Sequence, residues 1–212
     1  MKTLLRLLIL FIVFSVNAIG QQLTLGFKTG LDIINYKYVG SFPLDDFSPR
    51  LSYDIGVLLN YKLTNRIQIQ IEPGFIEKGA QLRNINLNER ITFKNGFVTT
   101  PLVFVANPIS RLFIEIGPEL GYLVYAKKRE TNGKIYDSGD TPTNKLEFSG
   151  IFGLSYNFFD NTYLVVRYVN TFTPLYNNII YADPGPSTTY KIFNKQFSIG
   201  LRYLFNKHNN TR

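Results

Sequence analysis

Apolar and polar residues alternate along much of this chain with a period of two, which is typical of β-strands with one apolar face. In the last such segment one face is entirely apolar, formed by Phe197, Ile199, Leu201, Tyr203 and Phe205. The opposite face carries Ser198, Gly200 and Arg202. The pattern predicts a strand that separates an apolar environment from a polar one.

Eight segments show this alternation or a related apolar pattern and are predicted to be strands. They are Leu23–Tyr36, Ser52–Leu63, Ile67–Ala80, Ile91–Ala106, Leu112–Ala126, Lys145–Phe158, Thr162–Phe172 and Lys191–Phe205. Pro101 interrupts the fourth segment, which is apolar on both faces, so the pattern leaves the facing of this strand open.

The predicted connections alternate between short turns and long polar links. The short ones read TNR, NPISR and FDN, and the long ones are Lys37–Leu51, Gln81–Arg90, Lys127–Asn144 and Thr173–Tyr190. Outer-membrane barrels have short periplasmic turns and longer external loops. The order of connections therefore favours a barrel over a soluble sandwich.

The lengths of the strands fit a membrane. Ten residues at about 3.3 Å each, tilted by about 45°, rise about 23 Å, close to the apolar band of an outer membrane. Closure is required because an unpaired sheet edge cannot lie in hydrocarbon. The predicted fold is all-β: an eight-stranded, antiparallel, up-and-down transmembrane β-barrel.

The N-terminus is predicted to be a signal peptide. Lys2 and Arg6 precede the apolar run Leu7–Phe14, and the small residues Ala18 and Gly20 follow. We therefore expect a signal peptide at residues 1–20, an outer-membrane barrel at 21–205 and a short polar tail at 206–212.

The composition limits the partners. The aromatic content of 15% favours β structure, and the absence of cysteine excludes disulfides and thiolate metal sites. The net charge of +8 comes from scattered residues, apart from the trio Lys127–Arg129, which we expect in a solvated loop. No nucleic-acid partner and no cofactor are expected.

The stretch Phe97–Tyr125 resembles the PorT-like outer-membrane β-barrel domain family of Bacteroidota. The resemblance is carried by Pro101, Leu102, Phe104, Gly117, Pro118, Gly121 and Tyr122. It would extend over Leu23–Phe205 and implies the barrel fold, but it implies no particular activity. Some relatives serve protein secretion, and others have no assigned role.

The C-terminal strand also resembles the signal read by the barrel-assembly machinery. The residues that match it are Ser198, Gly200, Tyr203 and Phe205. The resemblance implies that this machinery is a partner during biogenesis.

Residues for catalysis or metal binding are few. The only histidine is His208, in the tail, which leaves no candidate for a histidine-based triad in the fold. Glu115 and Glu119 are four residues apart on one strand, about 13 Å, which exceeds the spacing of paired catalytic carboxylates. Asp45–Asp46 and Asp137–Asp140 match no complete calcium loop. We therefore expect no enzyme and no metal site.

The aromatic residues near the long links have two interpretations. They are Tyr36, Tyr38, Phe42, Tyr176, Tyr181 and Tyr190. Such residues bind sugars or lipid headgroups in some proteins, but membership of an upper aromatic girdle is the simpler expectation.

Five charged residues are predicted to face the lumen near the periplasmic end and to form one structural network: Lys28, Glu72, Glu115, Arg167 and Arg202. An eight-stranded barrel is narrow enough for long side chains to meet across it, and buried charges must be paired. The network would plug the barrel.

These observations predict a small non-enzymatic outer-membrane protein that acts as a scaffold or interaction module, accessory to secretion or envelope assembly. Its expected partners are outer-membrane lipid, the assembly machinery, and a protein at the loops or periplasmic turns. Two alternatives stay open: a barrel-embedded lipid-modifying enzyme, and a soluble periplasmic lipid-binding barrel with an apolar interior.

Overall fold

The computed structural model describes residues 23–40, 47–84, 89–129, 135–137, 142–180 and 188–205. Eight strands form the wall: β1 (Leu23–Gly40), β2 (Arg50–Lys62), β3 in three parts (Ile67–Ile71, Gly74–Lys78 and Gln81–Asn84), β4 (Glu89–Ile109), β5 (Leu112–Arg129), β6 (Leu146–Phe159), β7 (Thr162–Thr171) and β8 (Thr188–Leu204). Three short segments extend this wall: Phe47–Ser48, Ile135–Asp137 and Tyr176–Ile180.

The eight strands form a closed ring. Each strand pairs antiparallel with the next along the chain, and β1 pairs with β8 from Gly26 opposite Leu204 to Gly40 opposite Tyr190. Closure leaves no edge within the ring. The predicted eight-stranded antiparallel barrel is confirmed.

The exterior of the ring is apolar and the interior is largely polar. On β2, Tyr53, Ile55 and Val57 are exposed, whereas Ser52 and Asp54 are buried. The same alternation continues around the ring, since directly paired residues share a face. A soluble lipid-binding barrel would have the reverse arrangement, so that alternative is wrong.

The sequence left open which residues of β4 face outwards, and the structure shows that they alternate between the outside and the lumen as on the other strands. Leu102 and Phe104 are exposed, whereas Val103 and Val105 are buried in the lumen. β4 pairs with β5 through an irregularity at Val124, which has no register partner. Such a bulge shifts the alternation on one strand.

The two ends of the barrel differ. At one end, called the turn end, residues 63–66, 110–111 and 160–161 connect consecutive strands. Arg111 (φ 67°) and Asn161 (φ 61°) adopt the left-handed conformation that closes two of these turns. The opposite end is called the loop end, and there the strands continue well beyond the level at which a membrane-spanning strand would stop.

The expectation of long polar loops at the loop end is wrong for much of their length. Lys37–Gly40 belongs to β1, and the trio Lys127–Arg129 belongs to β5 rather than to a solvated loop. Residues Tyr176–Ile180 pair with β8, and Ile135–Asp137 pairs with β5. Cross-strand pairing therefore extends these strands past the point where the sequence alternation fades.

No helix in the described ranges is long and apolar enough to span a membrane. Several predictions concern residues outside the described ranges: the signal peptide at 1–20, the tail at 206–212 with His208, and the segments Asp45–Asp46 and Ser138–Asp140. Phe42 and Tyr181 also lie outside them.

Candidate functional site

The lumen near the turn end holds all five of the charges predicted to face it. Arg167 on β7 reaches across the lumen to Glu72, which lies between the first two parts of β3, with Nη1 donating to Oε2 at 2.5 Å and Nη2 donating to Oε1 at 2.7 Å. Its Nε donates to Oε2 of Glu115 on β5 at 2.8 Å. The guanidinium therefore bridges two buried carboxylates, an arrangement that suits its planar set of donors.

Two further cations complete this network, which we call the lower network. Lys28 and Arg202 are register partners on β1 and β8, and like charges directly opposite each other are destabilising. Glu72 lies between them, 3.5 Å from Lys28 Nζ and 3.4 Å from an Arg202 nitrogen. Arg202 also contacts Glu115 at 2.9 Å, and Lys28 contacts Asp54 at 3.1 Å.

A glycine makes room for the longest of these side chains. Gly153 on β6 pairs with Arg167 on one side and with Glu115 on the other. A Cβ atom at Gly153 would lie 2.7 Å from Cγ of Arg167. The arginine stem therefore lies over the glycine on its way to the carboxylate, as close approach over a residue without a side chain allows.

A second network, which we call the upper network, lies closer to the loop end. Lys78 Nζ contacts Glu119 at 3.1 Å and Glu147 at 2.5 Å, and Asn194 Nδ2 donates to Glu147 at 2.5 Å. Lys78 has no exposed surface. The sequence pattern does not indicate the contact between Lys78 and Glu147, although the period of two places both residues at lumen-facing positions.

Apolar side chains fill the lumen beyond the upper network. The cluster is Ile34, Tyr36, Ile76, Ala80, Phe97, Leu123, Leu175, Tyr176 and Ile192. Tyr36 and Tyr176 are therefore buried inside the barrel, and the expectation that they belong to a lipid-facing girdle is wrong for both. The Tyr36 hydroxyl accepts a hydrogen bond from Asn95 Nδ2 at 2.8 Å, which satisfies a polar group in this apolar surrounding.

Little space is left between these groups. A cavity of about 30 Å³ lies between the two networks, lined by Lys28, Asp54, Glu119, Arg167 and Gln196 among others. That volume suits about one water molecule with polar partners. The lumen is packed rather than open.

The two carboxylates considered for catalysis belong to different networks. Glu115 accepts hydrogen bonds from Arg167 and from Ser155 Oγ at 2.6 Å, whereas Glu119 contacts Lys78. The two carboxylates therefore have different partners and do not face each other as a pair. Within the described part of the chain no group of acidic, histidine or cysteine side chains is arranged to hold a metal ion.

The residues of the predicted assembly signal lie on both faces of β8 and just beyond its end. Tyr203 packs against Phe27 with ring centroids 5.7 Å apart, and it contacts Phe205 at 5.6 Å. Gly200 pairs with Gly30, and Ser198 pairs with Asp32. These contacts place Tyr203 and Phe205 on the lipid-facing wall at the turn end, and their recognition by the assembly machinery stays a prediction.

The sequence of this chain matches the model of a known protein family. A family model described as outer membrane protein beta-barrel domain matches residues 19–177. The chain belongs to this outer-membrane β-barrel family. The lipid-facing apolar wall and the filled lumen are therefore features of a family member that lies in an outer membrane.

Solved structures of small outer-membrane barrels are similar to this chain. Neisserial surface protein A is 14% identical over 84% of this chain and 97% of its own, with a TM-score of 0.50. Ail, the attachment invasion locus protein of Yersinia pestis, is 14% identical over 87% and 99%, with a TM-score of 0.49. OprG from Pseudomonas aeruginosa is 11% identical over 87% and 96%, also at 0.49.

At these identities the likeness concerns the fold alone. A comparison with curated protein sequences finds no match.

Proposed function

We propose that this barrel is a closed, non-enzymatic scaffold of the outer membrane that presents a rigid, strand-built platform to a molecule outside the cell. The observation that supports this proposal is that side chains fill the lumen. A protein whose interior is occupied by its own side chains has no continuous path for solutes, so its functional surface lies on the outside of the barrel.

Two barriers in series support a closed lumen. The lower network joins β1, β3, β5, β7 and β8 across the barrel, with Glu72 and Glu115 wholly buried. The apolar cluster follows towards the loop end. An ion passing through would have to break buried ion pairs and then cross an apolar region, and both steps are costly.

The platform consists of the strands beyond the membrane. β4 has 21 residues and β1 and β5 have 18 each. A tilted strand of about 10 residues spans the membrane, so these strands extend about 20 Å further. Tyr36, Phe47 and Phe93 pack together inside this extension, and such packing favours a rigid projection.

The orientation of the barrel in the membrane and its relationship to the PorT-like family are further parts of this proposal. By the usual layout of these barrels the turn end faces the periplasm and the loop end faces outwards. A cleaved signal peptide at 1–20 would export the chain. The match of Pro101, Gly117 and Pro118 to the PorT-like pattern supports that subtype, with Bacteroidota as the source and with an accessory role in secretion or envelope assembly.

A planar bilayer experiment tests the closed lumen. The purified barrel should give no stable, ohmic current at 100 mV, while an open general porin inserted under the same conditions serves as the positive control. A reproducible ohmic conductance from the unmodified protein would replace the scaffold by a pore. The absence of catalysis is tested separately in mixed micelles, where release of fatty acid or transfer of an acyl chain would favour a lipid-modifying enzyme.

A further inference from the structure

The outer wall above the membrane carries cations that face one another. Lys94 on β4 and Lys127 on β5 are register partners. On the next ladder Arg83 of β3 pairs with Arg90 of β4. Like charges directly opposite on one face of a sheet destabilise it, so the opposed pair Lys94 and Lys127 requires an explanation.

Both pairs occupy register positions on the outward face. Val98 is exposed to lipid, and alternate residues of β4 share its face, which places Gly96, Lys94 and Arg90 at exterior positions. Asn95, between them, is buried in the lumen. The four cations therefore belong to positions of one surface, which we call the basic wall: Arg83, Arg90, Lys94 and Lys127.

The height of the basic wall matches the headgroups of the outer leaflet. Glu77 is ten residues along the chain from Ile67, and its register partner Gly96 is ten residues from Ala106. Ten tilted residues rise about 23 Å, nearly the whole apolar band. Lys94 lies two residues beyond Gly96, just outside the hydrocarbon.

The acidic neighbours do not neutralise the wall. Glu77 forms ion pairs with Arg50 and, at 3.5 Å, with Lys94, and it accepts a hydrogen bond from the Tyr125 hydroxyl at 2.8 Å. The positive charge of Arg50 by itself already balances the negative charge of Glu77. Asp137 is the register partner of Lys127, but Arg50, Lys94 and Lys127 still outnumber these two acids, before Arg83 and Arg90 are counted.

The lumen of this protein shows how such a pair is stabilised. Lys28 and Arg202 are also directly opposed cations, and the carboxylate of Glu72 lies within 3.5 Å of both. An anion between two opposed cations turns repulsion into attraction. At the basic wall the described residues place Glu77 near Lys94, while Lys127 is held over the Tyr125 ring at 5.3 Å.

We propose that the basic wall binds a phosphorylated headgroup of an outer-leaflet lipid of the lipid A type. Lys94 and Lys127 contact a phosphate, and the register places the backbone positions of Arg83 and Arg90 four residues further along the tilted strand, about 9 Å higher. The apolar surface around Val98 contacts the acyl chains. The barrel thereby selects its lipid neighbours on one side of its wall, which goes beyond its role as a scaffold.

The binding experiment uses purified barrel in nonionic detergent and diphosphoryl lipid A as the probe, with dissociation constants measured by native mass spectrometry. The variant K94Q/K127Q should bind about 30-fold more weakly, at about fivefold for each lysine near an anionic surface. The matched control K62Q/R66Q removes two exposed cations at the turn end and should change the affinity by less than twofold. An equal loss in both variants would overturn the proposal.

Two further binding measurements identify which part of the lipid is the ligand. Lipid A from which both phosphates have been removed should bind the unmodified barrel at least tenfold more weakly, and equal binding would overturn the proposal. Inorganic phosphate at 10 mM should not displace diphosphoryl lipid A. Full displacement would show a site for free anions rather than for a lipid.

A melting experiment separates binding from folding. Without lipid, K94Q/K127Q should melt at about the same temperature as the unmodified barrel, because the repulsion that is removed offsets the lost contacts of Lys94 with Glu77 and of Lys127 with the Tyr125 ring. With lipid A the unmodified barrel should melt at the higher temperature. A variant that is already less stable in lipid-free detergent would contradict the proposal, since the opposed lysines would then stabilise the sheet by themselves.

Discussion

Arg167 and Glu72 form a two-pronged ion pair across the lumen, although 95 residues separate them in the chain. Both side chains are buried, and Glu115 is bound to the same guanidinium. This contact fixes β7 against β3 through the interior of the barrel rather than through the wall. It is the centre of the lower network.

Removal of the arginine should destabilise the barrel strongly. Arg167→Met leaves Glu72 and Glu115 with fewer partners in a buried site, and breaking such a pair costs about 3–5 kcal/mol. Urea unfolding in lipid vesicles measures the loss. The exposed Arg66, changed to Met, provides the control and should alter the free energy of unfolding by less than about 0.5 kcal/mol. A loss below about 1 kcal/mol for Arg167→Met would argue against the network.

The glycine beneath the arginine should not tolerate a side chain. Gly153→Ala introduces a Cβ 2.7 Å from Arg167 Cγ and 2.8 Å from a backbone oxygen, and such overpacking costs about 1–3 kcal/mol. Gly121→Ala is the matched control, because its Cβ would meet its nearest neighbours at an ordinary 3.4 Å or more. Equal melting temperatures for the two variants would show that the arginine stem can move aside.

The lipid-facing wall should respond to charge according to depth. Leu154 on β6 is 45% exposed near mid-strand, and Phe159 is 71% exposed next to the turn end. Leu154→Arg should cost about 2–4 kcal/mol, and Phe159→Arg about 0–1 kcal/mol, since the penalty falls towards the interface. Loss of the fast-migrating folded form on unheated gels reports the difference. Similar losses in both variants would mean that this face does not lie in hydrocarbon.

The orientation can be tested with single cysteines, because the chain contains none. A membrane-impermeant maleimide added to intact cells should label Lys145→Cys at the loop end. It should label Asn65→Cys in the turn between β2 and β3 only after the cells are lysed. The opposite pattern would place the turn end outside the cell.

The sequence predicted the wall well because one rule governs it. The residues that face lipid are predominantly apolar, so the period of two identifies both the strands and the inward positions of Lys28, Glu72, Glu115, Arg167 and Arg202. Their actual partners depend on the relative heights of strands that are distant in the chain. Those heights are set by register, which no local pattern contains.

The same rule explains what the sequence did not reveal. The upper lumen is apolar, so residues such as Ile34 and Phe97 look like lipid-facing ones. Tyr36 lies among the aromatic residues near the long links, and this position alone predicts a girdle. On β5 the unpaired Val124 shifts the alternation, so Leu123 faces inwards and Tyr125 outwards. The strands beyond the membrane are held by pairing with their neighbours rather than by alternation.

The pairing of Lys28 with Arg202 at the junction of β1 and β8 has a consequence for the order of folding. These two strands are the first and last of the wall, and their pairing closes the ring. Until the ring closes, Glu72 lacks two of its three cations, because Arg167 and Arg202 reach it across the lumen. A half-formed barrel therefore has an incompletely compensated carboxylate on its inner face. Intermediates with an open seam are therefore unfavourable, and we expect the chain to insert and close in a single cooperative transition.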